Sequence, residues 1–227
     1  MIGKSLLFCV FAVVSTGLAC EEENTKTESL ISHAKRISDS ETAECNALLQ
    51  TLKQEYAVKA LRVPELESLL ESKSNLVRKF AVERLSQSSD ESLKLLLSNL
   101  ATFDGTTSDV RVGAYLDIFR DVGQGNQNVI DAVTRLLKED SNLYKQRDKL
   151  EVIRLRAFCV IVLSDIGITR DAWPYIVDLV VNADDQDLAI GSAAAARAAA
   201  TLGPAARKLA PYLVLSLIHI SEPTRPY

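Results

Sequence analysis

Asp109-Val110-Arg111-Val112-Gly113-Ala114 reads as the opening of a helix. Ser108 and Asp109 offer cap side chains, and a β-branched residue, an arginine, two further residues and a small one follow. The same order, Val/Ile-Arg-x-x-Ala, recurs at Val77-Arg78-Lys79-Phe80-Ala81 and at Ile153-Arg154-Leu155-Arg156-Ala157. A weaker fourth copy puts Ala193 at the last position and ends in Thr201-Leu202-Gly203, as the third ends in Asp165-Ile166-Gly167. The four alanines lie 33, 43 and 36 residues apart. Intervals of this size mark stacked helix pairs, and their variation fits loop insertions.

A second amphipathic helix follows each copy. Leu93, Leu96, Leu97 and Leu100 have i, i+3, i+4, i+7 spacing, as do Trp173, Ile176, Val177 and Val180. Val129, Val133, Leu136 and Leu137 form a similar stripe, and Leu209, Tyr212 and Leu213 begin another. Gly123, Gly167 and Gly203 stand where first helices should stop, because glycine accepts the left-handed C′ conformation. Pro204 suits the first turn of the next helix, and Ser74-Asn75 offers a cap before Leu76. The small residues let helix backbones approach. Gly191-Ser192-Ala193-Ala194-Ala195-Ala196 is the extreme case, predicted as a slim helix pressed between neighbours.

These residues resemble the HEAT-repeat family, in particular the short HEAT-like repeats also found in phycobilisome lyases. The family pattern, Asp-x-Val-Arg-x-x-Ala followed by Leu-Gly and an Ala/Pro-rich second helix, is matched by Asp109–Ala114 and by TLGPAARKLAPYL at 201–213. The resemblance covers about residues 43–214, with a divergent first pair near 43–72 and NLYKQRDK (142–149) as an inserted loop. It implies an all-α fold, a right-handed α-solenoid of stacked antiparallel helix pairs. It also implies a structural role for Arg78, Arg111 and Arg154, each pairing with a carboxylate of a neighbouring repeat to form a ladder, in preference to a ligand-facing row.

The composition suits such a fold. The 227 residues are 47% hydrophobic and 25% charged, with only 9 Gly and 6 Pro. The ends read differently from the middle. Lys4, the apolar run Ser5–Ala19 and the small residues Gly17 and Ala19 form an export signal over 1–19. The next residue, Cys20, completes GLAC, which resembles a bacterial lipoprotein cleavage box with Leu18 displaced by one position. Lipidation there would attach the protein to a membrane; ordinary cleavage after Ala19 would leave a free thiol. Residues 20–42 read as a polar tether carrying a short helix around LISHAKRI. The expected location is periplasmic or extracellular. Residues 215–227, LSLIHISEPTRPY, resemble a translated transposase sequencing adapter, so the native chain is expected to continue past Val214, leaving the solenoid over 43–214 truncated.

The net charge is −4. Without both ends, basic residues fall from 26 to 24 and acidic ones from 30 to 29, giving −5. That balance gives no electrostatic reason to bind nucleic acid. Nucleophilic catalysis by Ser or Cys usually needs a His base, and the sole histidine outside the tail, His33, falls in the expected tether. There is no CxxC, HExxH, CxxCH, GxxxxGK[ST], GxGxxG or GxSxG. Cys159 lies in an apolar run and reads as buried; a Cys45–Cys159 disulfide is compatible with export but no spacing calls for it. Asp184-Asp185-Gln186-Asp187 lacks the alternation and glycine of a calcium loop and reads as a solvated turn, as does Glu139-Asp140. Trp173 reads as core. No catalytic, cofactor or metal residue is expected. Two functions remain: an exported interaction module binding a protein or peptide partner on its inner helices, or the helical part of a larger exported enzyme. A phycobilin-lyase role fits less well, because that chemistry is cytoplasmic.

Overall fold

The computed structural model describes residues 28–38, 42–58, 63–87, 89–138, 140–181, 188–208, 211 and 214. The export signal, Cys20, the adapter-like tail, the acidic turn 184–187, and Leu209, Tyr212 and Leu213 lie outside the described residues. Helix follows helix: α1 (28–36), α2 (Thr42–Val58), α3 (Val63–Leu69), α4 (Asn75–Ser86), α5 (Asp90–Leu100), α6 (Asp109–Val122), α7 (Gln127–Leu136), α8 (Lys149–Ile166), α9 (Trp173–Val181) and α10 (Leu188–Leu202). Short 3-10 turns occupy Asn142–Tyr144, Arg170–Ala172 and Gly203–Lys208. Among the described residues there is no strand, and no helix is long and apolar enough to cross a membrane.

The helices begin where the caps fall. Ser74 Oγ and Ser108 Oγ accept the Val77 and Arg111 amides at 3.3 Å, and Asp148 Oδ1 accepts that of Glu151 at 2.8 Å. Each satisfies an amide that the first turn cannot pair internally. Gly167 ends α8 with φ +136°, an angle that side chains rarely adopt. Gly123 ends α6 differently. Its φ is −88°, so no left-handed turn is made. Glycine is needed there for space, since a Cβ would stand 2.3 Å from Phe119 O and 2.8 Å from Val129 Cγ1.

The chain divides into two compact units, Met1–Ala81 and Val82–Tyr227, with the boundary inside α4. In the first, Ile31, Ala34 and Ile37 are buried together with Cys45, Leu48, Leu52, Leu66, Leu69 and Leu70. Ser72 Oγ donates to Ala34 O at 2.6 Å, and the Lys73 amide donates to Lys35 O at 3.3 Å. The tether expected over 20–42 therefore gives way to packed structure from residue 28. The physical reason is the spacing of Ile31, Ala34 and Ile37, a short apolar stripe. His33 is correspondingly no linker residue: its Nε2 stands 3.2 Å from Glu44 Oε1 of α2.

In the second unit α6, α8 and α10 pack in that order, α6 on α8 and α8 on α10. The second helices accompany them. α5 lies against α7, both α7 and α9 lie against α8, and α9 also meets α10. α8 is the centre and is buried on nearly every side, including Ile153, Leu155, Cys159, Val160 and Leu163. A helix with so wide an apolar surface must bury it against several neighbours. One aromatic contact closes α6 against the loop before it, and a second runs along α6 itself. Phe103 and Tyr115 meet edge to face at 4.8 Å, and Tyr115 meets Phe119 at 6.0 Å. This ordered packing is compatible with an α-solenoid.

Candidate functional site

The α7 helix buries Val129, Val133 and Leu136, and its C-cap residue Leu137 is buried too, as the stripe predicts. That fixes its other face outward. Asn128, Asp131 and Arg135 follow one another along that face at i, i+3 and i+7, and Lys138 continues the line past the last turn. A groove of about 890 Å³ runs over this face. α5 contributes Lys94 and Leu97 to it. On the other side stand Thr169, Arg170, Asp171, Pro174 and Tyr175. Buried Ala172, Ile176 and Leu179 anchor that side, and Leu96 and Leu100 anchor α5. The walls are therefore held by core contacts, while the lining side chains are mostly polar. Asp131 Oδ1 accepts from Gln127 Nε2 at 2.6 Å. Thr134 is buried in the lining, and its Oγ1 has no hydrogen-bond partner among the described residues.

The signature residues sit elsewhere and do not converge. Val77, Ala81, Ala114, Ile153 and Ala157 are buried in first helices. Val110 and Ala193 are exposed. On α6 the buried stripe is Val112, Tyr115, Leu116 and Phe119, so Val110 precedes it in the first turn. On α10 the buried face is Gly191, Ala194, Ala195 and Ala198, with exact i, i+3, i+4, i+7 spacing, which leaves Ala193 outside. The slim helix itself is present. A Cβ on Gly191 would stand 2.4 Å from Leu179 O, a measure of how closely α9 and α10 approach. Among the described side chains of α9, Ile176 and Leu179 are buried and Trp173 is half-buried.

Arg78, Arg111 and Arg154, expected to form a ladder, show the following contacts among the described residues. Arg78 Nη1 donates to the carbonyls of Ser72, at 2.5 Å, and Lys73, at 3.0 Å. The Arg111 guanidinium lies 5.5 Å from the centre of the Phe103 ring. Arg154 is exposed. Other arginines meet carboxylates. Arg156 Nη2 reaches Asp178 Oδ2 at 2.7 Å, and Arg197 Nη2 reaches Asp165 Oδ1 at 2.6 Å. Arg147 pairs with Asp109 and also donates to the carbonyls of Thr107 and Leu143. Arg156 interrupts the apolar run LRAFCVIVL, and Asp178 interrupts WPYIVDLVV. A lone charge in an apolar helix needs a partner, which was the available signal.

Cys45 and Cys159 are free and buried. Cys45 Sγ lies 3.1 Å from Ser74 Oγ. Burial pushes the Cys159 thiol up to about 12, against a weaker opposing pull from Arg156. It raises the Tyr144 hydroxyl as well, and that hydroxyl donates to Leu136 O. A thiol held protonated is a poor nucleophile. Among the described residues no group of three or more His, Cys, Asp or Glu could hold a metal ion. Comparison with protein-family models, curated proteins and solved structures finds no match to this chain.

Proposed function

We propose that the chain is an exported interaction module, a HEAT-like right-handed α-solenoid without catalysis of its own, and that it binds a protein or peptide segment in the groove over α7. The observation that carries this reading is the groove itself, a concavity with α5 on one side, α7 beneath and α9 on the other. Repeat stacks present such inner faces as extended binding surfaces. The amino-terminal apolar run and GLAC support export, with membrane attachment where Cys20 is lipidated.

The test is selection of peptides from a displayed 12-residue library on the full chain. The peptides are then rebound to a groove variant, Leu97→Asp with Tyr175→Asp, and to a control, Arg120→Glu with Arg154→Glu, on exposed first-helix positions. Circular dichroism verifies that each variant keeps its helix content. We expect the groove variant to weaken binding at least about tenfold, a loss of about 1.4 kcal/mol, and the control to leave it unchanged. Equal binding to both variants would contradict the proposal.

A further inference from the structure

The groove's charge is opposite to that of the whole protein. Its described lining holds Lys94, Arg135, Lys138 and Arg170 against Asp131 and Asp171, whereas the chain carries a net charge of −4. The cations come from three separate elements: Lys94 from α5, Arg135 and Lys138 from the end of α7, and Arg170 from the turn before α9. Compensation of the α7 dipole would explain Arg135 and Lys138. It does not explain Lys94 or Arg170.

The arginines outside the groove are mostly engaged. Arg147, Arg156, Arg197 and Arg120 pair with carboxylates, and Arg78 with carbonyls. Among the described residues none of the four groove cations is ion-paired. Cations grouped on the walls of a concavity focus their field into it.

Resting on the groove reading above, we infer that the occupant is an acidic peptide segment, bound extended along α7 with its carboxylates on Lys94, Arg135, Lys138 and Arg170. The line from Asn128 to Lys138 spans about 15 Å at 1.5 Å per residue. At about 3.3 Å per residue, that length takes four or five extended residues. Leu97, Pro174 and Tyr175 supply apolar contact between the charges. Asp131, Asp171 and the Asn128 amide supply acceptors for peptide N–H groups, and the Thr134 hydroxyl lies among them. Those acceptors favour a peptide over a nucleic acid. A phosphate backbone has no N–H to give them, and its charge at every unit would meet Asp131 and Asp171.

The display selection on the full chain tests this when its products are sequenced and charge-reversal variants are added. We expect the selected peptides to be enriched in Asp and Glu. Replacing those residues by Asn and Gln should weaken binding at least tenfold. Arg135→Glu with Arg170→Glu should do the same, and the wild-type affinity should fall as salt is raised from 50 to about 500 mM. Neutral or basic peptides that still lose binding to Leu97→Asp with Tyr175→Asp would overturn the acidic occupant and leave the groove standing. Peptides indifferent to every groove variant would overturn both. A 12-nucleotide single strand that competes more strongly than the selected peptides would also overturn the inference.

Discussion

Arg147 holds two parts of the second unit together with one side chain. Its guanidinium is almost wholly buried yet meets Asp109, Thr107 O and Leu143 O, so the loop before α8 is fastened to the start of α6. Charged hydrogen bonds of this kind contribute about 1.5–3 kcal/mol. Arg147→Met should therefore destabilise the protein by about 2–3 kcal/mol in a urea titration. Arg147→Lys should recover little, because an ammonium cannot reproduce the fork. Gly191 acts by absence. A methyl there would press on the Leu179 backbone, and backbone cannot step aside as a flexible side chain can. We expect Gly191→Ala to cost about 1–3 kcal/mol, although alanine is the better helix former. Cys159 gives a pH dependence. Its folded thiol titrates near 12 against 9.0 for a free one, so the unfolded chain loses that proton first. Stability is then full below pH 9 and falls as pH rises toward 12. Buried Tyr144 acts in the same sense above pH 10. A Cys159→Ala variant should flatten the pH 9–10 part of that fall, and an unchanged slope would show that Cys159 does not cause it.

At the scale of the helix, the period was legible and the register was not. Val110 and Val112 differ by two positions, about 200° around a helix, so only one of them can join the stripe with Tyr115, Leu116 and Phe119. The repeated signature includes Val110, whereas the residue that packing buries is Val112. Val112→Ala should cost about 2 kcal/mol, while Val110→Ala should stay within about 0.5 kcal/mol. Thermal or urea unfolding of the two single variants separates them directly. The same slip displaced Ala193 from the face made by Gly191, Ala194, Ala195 and Ala198. Motif spacing records which helices are related, but burial is decided by the partner each helix finds. α7 shows the complementary lesson. Its apolar stripe was readable, and the polar line opposite was readable too, from Asn128 to Lys138. What a sequence cannot display is that α5 and α9 rise beside that line to make a groove. Nor could composition show that the segment 28–37 packs, since three small or branched apolar residues among charges look like a linker until a core receives them.

Across the second unit the logic is one of shared burial. Most of α8 is apolar, and it has α6, α10, α7 and α9 packed against it, with Lys149, Arg154 and Asp165 left exposed. None of these helices could cover its own stripe alone, which is why the pairs must stack. The groove depends on that order, because its floor and walls come from helices whose inner faces are held by the stack. Proton NMR of the full chain tests the order at defined points. Gly113 and Gly191 are the probes, since a Cβ on the first would lie 3.6 Å from Phe158 Cε1 and on the second 3.7 Å from Leu179 Cβ. We expect nuclear Overhauser contacts from the Gly113 α-protons to the Phe158 ring and from those of Gly191 to the Leu179 side chain, with helical amide–amide contacts through all three Val/Ile-Arg-x-x-Ala segments. Loss of both glycine contacts, or strand-type α-proton pairs within those segments, would contradict the stack and everything built on it.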